Sequence, residues 1–139
     1  MAGAPKAYLT FRVARKELAI DAARVRAILP LSDMIPVAGV RPGILGVLRI
    51  AGDVVNVVDA AARLQLPPWR RGKQPRIVVL STGVARAAFI ADRVCNVVYY
   101  ADRNLSGGVL RGEGRDRLLI HFDQIVRETD FADIWAVIP

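Results

Sequence analysis

His121 and Cys95 are the single histidine and single cysteine of this chain, and its serines are Ser32, Ser81 and Ser106. A Cys–His pair would supply a thiolate nucleophile with its own base. Yet Cys95 lies inside the apolar stretch Val94–Tyr100, where a small buried hydrophobe is the expectation, and His121 follows Leu119-Ile120 in a strand-like run. One cysteine can form neither an internal disulfide nor a multi-thiolate metal site, and the carboxylates show no ligand spacing. No serine occupies a G-x-S-x-G elbow. The glycines at Gly107-Gly108 and Gly112-Glu113-Gly114 precede no Gly-Lys-Ser/Thr, so they read as turns rather than a phosphate cradle. Asp59 and Asp123 each stand before a short helical segment, and helix capping accounts for both. The expectation is a protein without catalytic residues, metal or cofactor.

The elements that surround these residues are β-rich. Apolar residues make up 53% of the 139 residues and charged residues 24%, enough to bury a core and too few charges for disorder. No apolar run approaches the ~20 residues that span a bilayer, and Met1–Lys6 has no signal-peptide core, so a soluble, cytoplasmic protein without membrane insertion is expected. Tyr8–Val13 alternates with Leu9, Phe11 and Val13 on one face, and Glu17–Asp21 returns after a turn at Ala14–Lys16. Val25–Leu29 fits either a short helix or a strand, limited by Pro30. Ile35–Gly43 is too rich in proline and glycine for regular structure. Ile44–Ile50 and Val54–Val58 read as strands, followed by a short helix over Ala60–Leu64. Further strands fall at Ile77–Leu80, Arg86–Ala91, Val94–Tyr100 and Leu118–Phe122, and a helical tail begins near Asp123 or Asp130 and carries Phe131, Ile134 and Trp135.

Two halves repeat one another. Arg24-Val25-Arg26-Ala27-Ile28 aligns with Arg93-Val94-Cys95-Asn96-Val97, and Gly46-Val47-Leu48-Arg49 recurs verbatim as Gly108-Val109-Leu110-Arg111. The order of elements is the same on either side of a proline-rich linker at 67–73, giving halves 8–66 and 74–135 of a single domain over residues 1–139. Each half is too small to be stable alone, so two small barrels or curled sheets packed on a shared apolar seam are expected.

The stretch Gly46–Asp59 followed by Ala60–Leu64 resembles the signature of CheW-type chemotaxis coupling domains, and the resemblance runs in order from about Tyr8 to Val126. It implies an all-β fold with short helices, made of two pseudo-symmetric five-stranded SH3-like β-barrel subdomains. It also implies a non-enzymatic adaptor that bridges the cytoplasmic domain of methyl-accepting chemoreceptors to a CheA-type histidine kinase or to other CheW-like domains. Val25 and Ile28 match apolar positions on the strand that helps form the family's receptor groove, and Gly46 and Val47 match the neighbouring turn into its long hairpin. Core packing is the competing role for each. Ala27 stands where the family commonly has glutamate, and Ala51 where it has arginine. Asn56 replaces the hairpin proline, Ala60 replaces a leucine, and the stretch from Tyr100 to Gly108 is short. Loss of these charges weakens selectivity more than fold, which predicts an adaptor with weakened or lost kinase coupling.

The net charge of +7 with a pI near 10.5 raises a second possibility, a small basic β-barrel that binds nucleic acid. Arginines are scattered along the chain, however, and the densest cluster, Trp69–Lys73, lies in the linker. A nucleic-acid binder needs exposed aromatics on one face; Phe11 and Phe89 fall on apolar faces and are expected in the core, whereas one of Tyr99 and Tyr100 must point outward.

Overall fold

The structure is a computed structural model and describes residues 4–37, 43–68, 73–82, 85–112 and 114–126. The strands are β1 (Lys6–Val13), β2 (Lys16–Asp21), β3 (Val25–Pro30), β4 (Ile35–Pro36), β5 (Ile44–Ile50), β6 (Asp53–Val58), β7 (Arg76–Thr82), β8 (Ala85–Ala91), β9 (Arg93–Tyr100), β10 (Leu105–Ser106), β11 (Val109–Gly112) and β12 (Arg115–Ile120). Two four-residue helices, α1 (Ala60–Arg63) and α2 (Phe122–Ile125), follow β6 and β12. Val25–Leu29 is therefore strand, because its apolar residues alternate with Arg26 and Ile28 on the exposed side. The segment from Ile35 contains the short strand β4 where a loop was expected, and the expected tail beyond Val126 and the linker residues 69–72 lie outside the described residues.

The strands form two sheets, ordered β10-β11-β12-β2-β1-β9 and β3-β7-β8-β6-β5-β4. Each has six strands, of which one is only two residues long, leaving five substantial strands per sheet. The sheets do not divide at residues 67–73. Each takes a hairpin from one side of that segment (β1–β2 or β7–β8) and the remaining strands from the other. The two orders are the same once the hairpins are exchanged, and the registers agree. Phe11 faces Val94 and Leu9 faces Val97 across a bulge in the first sheet, as Leu80 faces Val25 and Val78 faces Ile28 across a bulge in the second. Parallel pairing of β12 with β2 is matched by parallel pairing of β6 with β8. The internal repeat is thus real in three dimensions, but its halves are interleaved.

Burial explains the exchange. In β7 and β8, alternate residues enter different cores: Val78, Leu80, Ala87, Phe89 and Ala91 face one cluster, and Ile77, Val79, Ala88 and Ile90 another. The β1–β2 hairpin behaves alike, with Leu9, Phe11, Leu18 and Ile20 in the shared cluster and Tyr8 and Ala19 in a third. A hairpin buried on both faces reads as a continuous apolar run, not as an alternating one. The first sheet curls around its own interior, since Tyr100 on β9 reaches Arg117 on β12 across two intervening strands. Phe11 and Phe89 meet at the centre of the seam, ring centroids 5.1 Å apart.

Local chemistry completes the frame. The Thr10 hydroxyl donates to the Asn96 carbonyl and accepts the Asn96 amide, so a side chain satisfies both backbone groups of that residue at the bulge in β9. Asp59 caps α1 as expected, its Oδ1 accepting the Ala62 amide. Asp123 does not cap α2: His121 holds the N-cap position and its amide donates to Gln124, because the strand ends at Ile120 and the helix starts two residues earlier than expected. Lys6 and Asp21 pair at 2.8 Å where β1 begins and β2 ends.

Two predictions follow from these contacts. Ala14 and Arg15 form the two-residue β1–β2 turn with φ of 51° and 68°, a left-handed pair that favours Asn-Gly. Replacing them by Asn-Gly is expected to raise the unfolding free energy by about 1 kcal/mol in urea titrations. Burial pushes the Asp21 carboxyl upward, but the Lys6 hydrogen bond, the Ala23 amide and the charges of Lys6 and Arg24 outweigh it and hold the group below its ordinary 3.8. A carboxylate depressed in the folded state stabilises above its unfolded value, and that contribution is lost as pH falls through the folded one. Asp21→Asn should therefore lower the urea midpoint at neutral pH and flatten its decline below pH 3.8.

Candidate functional site

The residues expected to bind partners all lie on the β3–β8 barrel or its hairpin turn. Val25, Ala27 and Ile28 belong to β3, an edge strand whose one sheet neighbour among the described residues is β7. Ile28 is 42% exposed on the outer side of that edge, flanked by exposed Arg26 and Pro30. Val25 packs against the shared seam, and Ala27 packs against the interior of its own barrel. A large side chain at 27 would therefore have to leave that interior.

Gly46 and Val47 lie on β5, at the other side of the sheet, with β7, β8 and β6 between them and β3. Both are buried. Gly46 is a close-approach glycine: a Cβ there would stand 2.5 Å from the Ile35 carbonyl oxygen and 2.8 Å from Met34 Cγ. Val47 pairs with Ile35, which is 59% exposed, so Ile35 covers Val47 and offers the apolar surface instead. Ile35 was missed from sequence because the proline- and glycine-rich stretch around it read as a loop. Ala51 is exposed at the tip of the β5–β6 hairpin, with φ of 49° beside Gly52 at 85°. Asn56 is buried opposite Val47, and Ala60 is buried in the seam.

The second barrel carries a matching surface. Val97, the repeat partner of Ile28, is 52% exposed on edge strand β9, and Tyr99 beside it is 68% exposed while Tyr100 is buried. Tyr99 is the one exposed Phe, Tyr or Trp ring among the described residues; Phe11 and Phe89 are buried, as their alternation required. A single ring makes no stacking platform for bases.

Cys95 is half-buried at the β9 bulge instead of fully buried, because the bulge turns it off the regular pleat. His121 is exposed beyond the end of β12, and strands β1 and β2 separate β12 from β9 in the sheet. Among the described residues, no three histidine, cysteine or acidic groups cluster as metal ligands, and no helix is long and apolar enough to cross a membrane.

Two interleaved barrels with apolar residues on their open edges define a paired small-barrel class of β domain. The sequence profile of the CheW-like domain matches residues 7–128. Chemotaxis protein CheW of Thermotoga maritima is 26% identical over 132 residues, covering 86% of this chain and 87% of that protein. The protein of the same name from Bacillus subtilis is 31% identical over 90 residues, covering 65% and 58%. Among solved structures, the scaffolding protein TtCheW from Thermoanaerobacter tengcongensis superposes with a TM-score of 0.74 over 92% of this chain and 93% of that one, at 16% identity. The chain belongs to the CheW-like domain family, a family of chemotaxis adaptors.

The packing at Gly46 gives a direct check. Gly46→Ala is expected to destabilise the fold by about 1–3 kcal/mol through displacement of Met34 and Ile35, measured by urea unfolding.

Proposed function

We propose that the chain is a non-enzymatic cytoplasmic adaptor in chemoreceptor arrays, which grips the cytoplasmic domain of a methyl-accepting chemoreceptor and couples it weakly to a CheA-type histidine kinase or to other CheW-like domains. The match to the CheW-like domain across residues 7–128 carries this reading. The partly exposed Ile28 on an open edge strand supports the receptor side, since an apolar side chain at such a place can enter the seam of an amphipathic helix. Val25 supports that strand from the core, and Gly46 and Val47 act through packing beneath Ile35.

Weakened kinase coupling rests on two missing charges. An alanine at 51 leaves the exposed hairpin tip without a cation, and an alanine at 27 leaves its strand without an acid. Interfacial charges of this kind steer encounter and select partners, so their loss lowers affinity for a partner built to meet them. Arginine at 51 would add no new backbone strain, because Ala51 already holds a left-handed conformation with a Cβ.

Binding of the purified chain to its cognate receptor cytoplasmic domain and kinase tests both sides. Ile28→Asp should weaken receptor binding by about tenfold or more while shifting stability by less than about 0.5 kcal/mol. Ala51→Arg should strengthen kinase binding without changing receptor binding. Tight kinase binding and a normal ternary complex in the unaltered chain would defeat the weakened-coupling proposal, and failure to bind any receptor would defeat the adaptor itself.

A further inference from the structure

One charged cluster plays no part in the surfaces described above. It lies at the end of the β1–β2 barrel where Arg12 and Glu17 face each other across the hairpin and β12 runs alongside β2. Glu17 Oε1 accepts from Arg12 Nη2 at 3.0 Å and from Arg115 Nη1 at 3.1 Å. Arg117, only 7% exposed, lies beside Glu17 in the parallel β12–β2 register and donates to the Tyr100 hydroxyl. Arg12 and Arg115 thus share one carboxylate and Arg117 makes no ion pair among the described residues, which leaves two positive charges uncompensated. Arg12 Nε is buried with no hydrogen-bond partner. Asp92 accepts from the Arg15 amide and makes no ion pair with any described residue.

The other barrel provides an internal comparison. Its registers place Ser81 at the position of Arg12, Arg86 at that of Glu17, Asp53 at that of Arg115 and Val55 at that of Arg117. There a single cation meets a single anion, Arg86 and Asp53, at 3.9 Å. The fold therefore does not require the arginine surplus. A buried guanidinium whose only partner is a neutral hydroxyl is costly unless something further satisfies it.

We infer that Arg12, Arg115 and Arg117 form a binding site for a doubly charged oxyanion of the phosphate-monoester class. Two uncompensated positive charges match the −1.5 to −2 charge that such a group carries near neutral pH. Its tetrahedral oxygens can accept from three forks at once, and guanidinium is the side chain best suited to that geometry. Glu17 acts as the built-in competitor: it positions Arg12 and Arg115 while it is the group an incoming anion must share them with. The phosphate can be a free ion or one borne on a partner side chain, since the acceptor chemistry is common to both.

The test is an NMR titration of the full chain with inorganic phosphate, against sodium chloride at matched ionic strength. Saturable amide shifts are expected at Arg12, Glu17, Arg115 and Arg117, with Asp53 and Arg86 unmoved. Arg115→Gln, at an exposed position, should raise Kd about tenfold through loss of one charge-assisted fork. Glu17→Gln should lower Kd, a gain that a merely structural role would not produce. Acidification to about pH 5 should weaken O-phosphoserine, a monoester whose second pKa is near 6, and spare sulfate, which stays doubly charged. O-phosphoserine binding more tightly than phosphate supports a partner-borne group, and the reverse order supports a free ion. Shifts that chloride reproduces, equal shifts at Arg86, or no gain with Glu17→Gln would overturn the site. Tighter binding of a short single-stranded oligonucleotide than of either phosphate would overturn it in favour of nucleic acid.

Discussion

The fold depends on two hairpins that are apolar on both faces. β1–β2 and β7–β8 each place one row of side chains inside a barrel and the other row in the seam between barrels. At roughly 25 cal/mol per Å² of apolar area, a strand buried on both faces gains about twice what a one-sided strand gains. That gain exists only when both barrels are present, so neither half can form its core alone. The bulges, the Asp59 cap and the Thr10 bridge adjust a frame that this shared burial has already set.

The same constraint decides what is left for binding. With the central hairpins covered, the free apolar groups collect on the edge strands and their neighbours, as Ile28, Ile35, Val97 and Tyr99. Exposed edges invite unwanted pairing, and each of the long edge strands here carries a bulge, with Pro30 closing β3. Partner-binding surfaces thus lie where the fold is least buried. Ala51 sits exposed at a hairpin tip, so a charge gained or lost there leaves the core untouched, and such a domain can change partners without losing its shape.

Much of this was legible in the chain itself. The verbatim repeat of Gly46–Arg49 at Gly108–Arg111 and the alignment of Val25–Ile28 with Val94–Val97 both hold in the strand registers. The exchange of hairpins was not, because a run such as Ile77-Val-Val-Leu80 shows two buried faces and says nothing about which strand lies beside it. Gly46 and Val47 read equally well as surface or core; a chain crossing at Met34 and Ile35 decided it, and that crossing is a tertiary fact. His121 displaced Asp123 from the cap because helix starts shift by one or two residues without any change of pattern. The arginine cluster was invisible for a simpler reason. Arg12 and Glu17 lie about a hundred residues from Arg115 and Arg117, and in a chain with seventeen scattered arginines nothing marks these three.

The interleaving of the halves carries a consequence about how such a chain can arise and assemble. Taken separately, a half with this connectivity would find its missing hairpin only in a second copy, and its folded form would be a reciprocal, domain-swapped homodimer. Joining two copies end to end turns that second-order encounter into a first-order one, with an effective concentration set by the join instead of by the cell. Stability then ceases to depend on dilution, and the two surfaces that symmetry once kept identical become free to diverge. The contrast between Arg86–Asp53 in one barrel and Glu17 with its arginines in the other is a record of that freedom.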